Sequence, residues 1–278
     1  ACPKDFDPPA HWNELYDNKL WSLGLAAQDR AANRATHYTL ASMREEAAKA
    51  RDYGCQALYL DPGWDTDFAS KLWDEARLGK IEDFAAMLGK EFGLKLSLHT
   101  PLSGWANPSS YPREMDRLER DGARATGWLC GASRQYRDET AHRLNALAAG
   151  GATYFMFDGT IYSGECWDRS HGHAVPARRQ EHVASCNELA RMVHARHPHV
   201  LIEMHDQMLG GTIFRYVPTY YGHGGAEPHG WDDLWAYELM WDPMSDLVGG
   251  HAIALYYYNL AYSMPLYIHI DLRRDNSN

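Results

Sequence analysis

Carboxylates and histidines close one short apolar run after another in this chain. Cys55–Leu60 ends at Asp61, and Leu94, Leu96 and Leu98 alternate as a strand that ends at His99. Ala152–Phe157 ends at Asp158, and Val200–Met204 carries Glu203 and runs into His205 and Asp206. A further acidic set, Glu238, Asp242 and Asp246, lies near Trp235, Tyr237 and Trp241. One charge at a strand tip is ordinary, because burial stops there. Recurrence at successive tips is what a reactive rim requires, since functional groups concentrate on strand-end loops. Two carboxyls brought from different strands can attack and protonate across one bond, as cleavage of a glycosidic linkage demands, and a separation of about 5–5.5 Å gives retention of configuration. Asp158 suits the nucleophile, because it follows a buried run and precedes Gly159, so nothing bulky shields it. Glu238 suits the acid, because its aromatic frame would desolvate it and favour the protonated form. Asp242, Asp246 and Glu203 are rivals for that role.

Helices must alternate with these strands to bring their tips to one edge. Leu40, Met43, Ala47 and Ala50 fall at helical spacing before Gly54, and Ile81, Phe84, Ala85, Leu88 and Phe92 repeat the stripe before Gly93. Residues 136–149 form a third helix closed by Gly150 and Gly151, and a fourth starts near Pro176, a good first-turn residue. Continuous apolar strands separated by such helices predict a parallel sheet covered on both faces. No dinucleotide glycine fingerprint is present, so the expectation is a (β/α)8 barrel in a single domain over residues 1–278, a common size for that fold. Six or seven strands are legible, the first within Pro8–Tyr16 and the last near Leu234–Trp241 and Pro265–Ile270. The eighth either hides in an irregular stretch such as Gly127–Cys130 or lies past the end of the chain. Residues 209–233, rich in Gly, Pro and Tyr, predict a long functional loop, 246–262 an apolar helix, and Asp271–Asn278 a fraying tail.

Composition narrows the partners. The net charge is −10 and no Lys/Arg cluster appears, which argues against nucleic acid. No apolar run approaches the roughly 18 residues that span a bilayer. Ten Trp and seventeen Tyr offer flat surfaces with hydrogen-bonding edges, suited to sugars, although any one of them serves more often in the core. The five cysteines form no CxxC pair, and Cys55 and Cys186 fit apolar patterns as small core residues. His171 and His173 fall in a Ser/Gly loop where such a pair is usually polar surface, and His194, His197 and His199 flank a helix end that favours cations. No metal ligand is assigned and no cofactor is implied. The chain opens at Ala1 without a charged or apolar leader, which fits a removed leader or an excised segment. Localisation stays open among soluble settings, secreted and periplasmic included, and oligomeric state is not legible.

LYLDPGW (58–64), a helix, and then GLKLSLHTP (93–101) resemble the α-galactosidase clan of glycoside hydrolases, where a strand ending in Asp-Asp-Gly-Trp leads to a Gly-Leu-Lys strand. GGATYFMFDGT (150–160) resembles the clan's nucleophile strand, and HVLIEMHD (199–206) the one after it. The similarity covers roughly residues 40–210. It implies retaining hydrolysis of an α-linked sugar on a (β/α)8 barrel, with Asp158 as nucleophile and the acid/base near Glu238 or Asp242. Asp61 and Trp64 would line the sugar subsite, and His99, Glu203, His205 and Asp206 would place hydroxyls. Two positions depart from the clan: Pro62 replaces the second Asp, and Met156 replaces a Lys two residues before the nucleophile. A metal-dependent hydrolase and a non-catalytic carbohydrate-binding barrel are the competing expectations.

Overall fold

Seven parallel strands form the principal sheet, in the order β1-β2-β3-β6-β7-β8-β9. These are β1 (His11–Asn13), β2 (Ala57–Leu60), β3 (Lys95–His99), β6 (Ala152–Phe157), β7 (Leu201–Met204), β8 (Thr219–Tyr221) and β9 (Leu266–Tyr267). The computed structural model describes residues 9–16, 34–61, 63–104 and 108–204, together with the backbone of β8 and β9. The eighth strand and the ring closure of the expected barrel are not among the described residues, which form an α/β fold with a parallel sheet. β4 (Asp116–Leu118) and β5 (Arg124–Leu129) make a separate antiparallel hairpin. Gly127–Cys130, expected to hide a barrel strand, therefore belongs largely to this excursion. β8 is a correction too, because it falls inside the stretch expected to be loop.

Parallel neighbours need crossovers, and helices supply them. α1 (Leu40–Asp52) precedes β2, and α2 (Glu75–Leu78) and α3 (Ile81–Met87) precede β3. α4 (Arg134–Ala149) precedes β6, and α5 (Arg179–Arg196) precedes β7. Thr39 caps α1 in a reciprocal capping box with Ser42, a device worth about 1 kcal/mol. α3 runs on into a π turn over Leu88–Phe92 and stops at Gly93, which takes the left-handed conformation at φ 71°. α5 begins at Arg179, not at Pro176, because Ala177 is held in a two-way backbone bridge with Cys166. Gly150 and Gly151 close α4 against α3: a Cβ on Gly150 would lie 2.3 Å from Ile81 Cγ2. No described helix is long and apolar enough to cross a membrane.

The pleat sorts each strand onto two faces. Leu58, Leu60, Leu96, Leu98, Phe155, Phe157, Ile202 and Met204 pack with the helices in one continuous core. Truncating a fully buried member such as Phe155 to Ala would cost about 3–5 kcal/mol. The alternate residues, Tyr59, Tyr154 and Met156, cluster on the other face. His11 joins them, its ring centroid 4.6 Å from that of Tyr154 and its Nε2 2.9 Å from Ser97 Oγ. One sheet thus carries an apolar face toward the helices and an aromatic, polar face on its other side.

Two histidine expectations are corrected. His171 is 0% exposed rather than surface. His194 donates Nε2–H to Val200 O at 2.9 Å, and burial lowers its pKa, so it is not a cation favoured at the helix end.

Candidate functional site

Asp61, His99 and Asp158 come from the carboxyl ends of three neighbouring strands, β2, β3 and β6, and meet at one point. His99 Nε2 donates to Asp158 Oδ2 at 2.8 Å, and on its other side His99 Nδ1 lies 4.0 Å from Asp61 Oδ1. All three side chains are buried. Register explains the meeting: Leu60 pairs with Leu98 and His99 with Met156, so each strand delivers its terminal polar residue to the same rim.

Backbone past the strand ends holds Asp158 in place. Thr100 N–H donates to Met156 O, Leu102 N–H to Asp158 O at 2.6 Å, and Gly104 N–H to Gly159 O at 2.9 Å. The approach is so close that a Cβ on Gly104 would sit 2.5 Å from Gly159 O. Gly159 itself has φ 57° and donates its N–H to Asp158 Oδ1 at 2.5 Å. The glycines therefore serve the position of the carboxylate, and a larger residue at 104 would push the two segments apart.

Asp61 is braced from a direction the sequence did not suggest. Glu14, just past β1 and fully buried, accepts the Asp61 N–H at 3.0 Å, and Tyr38 donates its hydroxyl to Asp61 O at 3.0 Å. Glu14 was missed although it closes the first strand as Asp61 and Asp158 close theirs; a three-residue strand gave too little apolar signal. Nothing in the local sequence pointed to Tyr38. The following loop is clamped by Arg77, which donates to Gly63 O at 2.7 Å and to Asp65 O at 3.0 Å while pairing with Asp74 at 2.7 Å.

Electrostatics follow from this crowding. Burial would pull the His99 imidazole down, but the Asp61 and Asp158 carboxylates outweigh it and hold its pKa above the usual 6.5. Burial raises the Asp61 carboxyl, an effect His99 partly offsets. Glu14 is pushed well above the ordinary range by burial and by Asp61 beside it. Asp65, also buried, rises to about 6 despite Arg34 and Lys71 nearby. The site is thus a protonated or readily protonated imidazole held between two carboxylates.

The remaining expected residues divide. Trp64 is 0% exposed; its indole N–H donates to His99 O at 3.2 Å and its ring stacks on Trp73 at 6.0 Å. It braces His99 from behind rather than presenting a face. Glu203 is 0% exposed in β7, in register with Met156. His205, Asp206, Glu238, Asp242 and Asp246 lie outside the described residues.

Solved structures share this architecture. A GH36 α-galactosidase, AgaA from Geobacillus stearothermophilus, aligns with a TM-score of 0.59 at 14% identity over 78% of this chain and 30% of its own. The α-galactosidase from Lactobacillus brevis aligns at 0.53 and 14% identity, over 77% and 29%. TtGalA from Thermus thermophilus, an α-galactosidase seen with p-nitrophenyl α-D-galactopyranoside, aligns at 0.51 and 11% identity, over 77% and 41%. The fold is therefore similar to that of GH36 α-galactosidases, and the chain spans only about 30% of the length of the first of them. No protein-family model matches the sequence, and no curated protein does.

Proposed function

We propose that this chain carries the site of a retaining glycoside hydrolase for an α-linked, galactoside-like sugar. The observation that carries the reading is the Asp61–His99–Asp158 cluster at the rim of the parallel sheet. Asp158 attacks the anomeric carbon, and an acid/base from the segment of Glu238 and Asp242 protonates the leaving oxygen and then activates water. Asp61 faces the sugar hydroxyls, Glu203, His205 and Asp206 support the pocket, and Trp64 positions His99. The two-carboxylate route needs no organic cofactor. Similar folds occur in AgaA variants crystallised with raffinose and with stachyose, which supports an oligosaccharide as substrate.

His99 makes sense of the missing lysine. Met156 stands where the resemblance places a cation beside the nucleophile, and its register partner on the adjacent strand is His99. The imidazole donates to Asp158 and is itself favoured as a cation. A positive charge delivered from the neighbouring strand keeps the carboxylate ionised and aimed, as a nucleophile must be.

Turnover of aryl α- and β-glycosides of galactose, N-acetylgalactosamine, glucose and fucose tests the reading. The wild type should hydrolyse one α-glycoside with net retention, and Asp158→Ala should lower kcat on the order of 10⁴-fold or more. Binding without turnover by the wild type would favour the non-catalytic sugar-binding barrel, the reading that Pro62 and Met156 otherwise motivate. Activity that survives Asp158→Ala but vanishes with chelator would favour the metal-dependent hydrolase.

A further inference from the structure

Away from this cluster, two cysteines and two histidines from separate loops converge. Cys130 follows β5 of the hairpin; Cys166, His171 and His173 lie in the loop after β6. One ligand atom from each lies within 4.8 Å of all the others. Cys130 Sγ is 3.4 Å from His173 Nε2, and Cys166 Sγ is 3.4 Å from His171 Nδ1. A tetrahedral zinc with Zn–S near 2.3 Å and Zn–N near 2.0–2.1 Å has ligand–ligand edges of about 3.4–3.8 Å. The sulfur–nitrogen pairs already sit at that spacing.

Outer contacts set the ligands. His171 donates its Nε2–H to Glu114 O at 2.7 Å, which leaves the Nδ1 lone pair facing Cys166. His173 donates its Nδ1–H to Ala174 O at 2.8 Å, which leaves Nε2 facing Cys130. Metal-ligating histidines are typically fixed in this way, the second nitrogen held by a carbonyl or carboxylate. Leu118 N–H points at Cys166 Sγ at 3.4 Å, a contact that suits a thiolate. Cys166 is pinned by its backbone bridge to Ala177, with N···O distances of 3.2 and 2.8 Å. Cys130, Cys166 and His171 are buried, and His173 is half-buried and borders solvent, which gives an ion a way in.

We propose that Cys130, Cys166, His171 and His173 bind one zinc ion that ties the β4–β5 hairpin to the loop after Asp158. The donor set selects the metal: two thiolates and two imidazoles in tetrahedral array suit zinc, and carboxylate-preferring calcium or magnesium do not fit. Four protein ligands close the coordination sphere, so the ion is structural and no position is left for water chemistry. This assignment departs from the sequence expectation of no metal ligand. His171 and His173 were weighed there as ligands and set aside as loop surface, and the cysteines gave no signal because Cys130, far ahead of Cys166, His171 and His173, matches no short zinc motif. The ion would stiffen the segment that begins at Asp158, and Arg124–Asp168, at 2.6 Å, already links the same two loops.

Metal content, with cobalt as a spectroscopic probe, tests this independently of any hydrolytic activity. The intact wild-type chain, prepared with zinc and dialysed, should retain one zinc per chain. Cobalt exchanged into it should give a thiolate-to-cobalt charge-transfer band and the intense visible bands of a tetrahedral ion. Cys166→Ser should weaken zinc binding by more than the roughly 10–100-fold that loss of an outer contact costs, while Cys55→Ser keeps the full equivalent. Wild-type protein without retained zinc or a charge-transfer band, a native Cys130–Cys166 disulfide found by mass spectrometry, or full zinc retention in Cys166→Ser would each overturn the assignment.

Discussion

The two ends of the same sheet face treat a histidine in opposite ways. His11, on β1, packs among Tyr59, Ser97 and Tyr154, and burial lowers its pKa to about 3. His99, on β3 and more fully buried, is pushed upward instead. Desolvation acts on both, so the difference comes from what the strand ends bring. Around His99 stand Asp61 and Asp158, whereas burial lowers His11. The inner part of this face favours a neutral imidazole, whereas the rim favours a charged one.

Acid should expose the neutral end first. A histidine with a depressed folded pKa contributes stability that is complete above its unfolded value near 6.5 and is lost as pH falls toward about 3. The full shift corresponds to up to about 5 kcal/mol. Denaturant unfolding at pH 7 and pH 4 should show up to about 3 kcal/mol of that loss in wild type and a smaller one in His11→Phe. An equal drop in both would break the comparison at its neutral end.

The charged end should respond in activity. His99 has the opposite sign: with a raised folded pKa, its protonated form and the stability it adds are present below about 6.5 and fade as pH rises through the higher folded value. If the proposed hydrolase reading holds, kcat/KM should therefore fall on the alkaline side as His99 loses its proton. His99→Gln should lower kcat/KM about 10²-fold and remove that alkaline limb. An unchanged pH profile in the variant would make His99 a packing residue only.

The strand tips were readable because apolar runs of four to six residues punctuated by glycine leave little choice of element. Ala152–Phe157 was expected and observed as a strand with the same limits, and Asp158 followed from it. The convergence of Asp61, His99 and Asp158 was implied by parallel register rather than by any motif. β1 was expected within Pro8–Tyr16 and falls there at His11–Asn13, but other short or polar elements were not readable: β8 is embedded in a Gly/Tyr-rich stretch, and the β4–β5 hairpin lacks a clean alternation. Contacts between distant loops leave no periodic trace, so the braces on Asp61 and the Cys/His cluster emerged only in three dimensions. Trp64, expected to line the sugar subsite, is buried in the core.

The most direct test of the central claim is to trap the covalent intermediate. Incubation with 5-fluoro-α-galactosyl fluoride, followed by proteolysis and tandem mass spectrometry, should place one glycosyl unit on Asp158 and none in Asp158→Ala. A label on another carboxylate, or none from protein that turns over α-galactosides, would contradict the assignment of Asp158 as nucleophile.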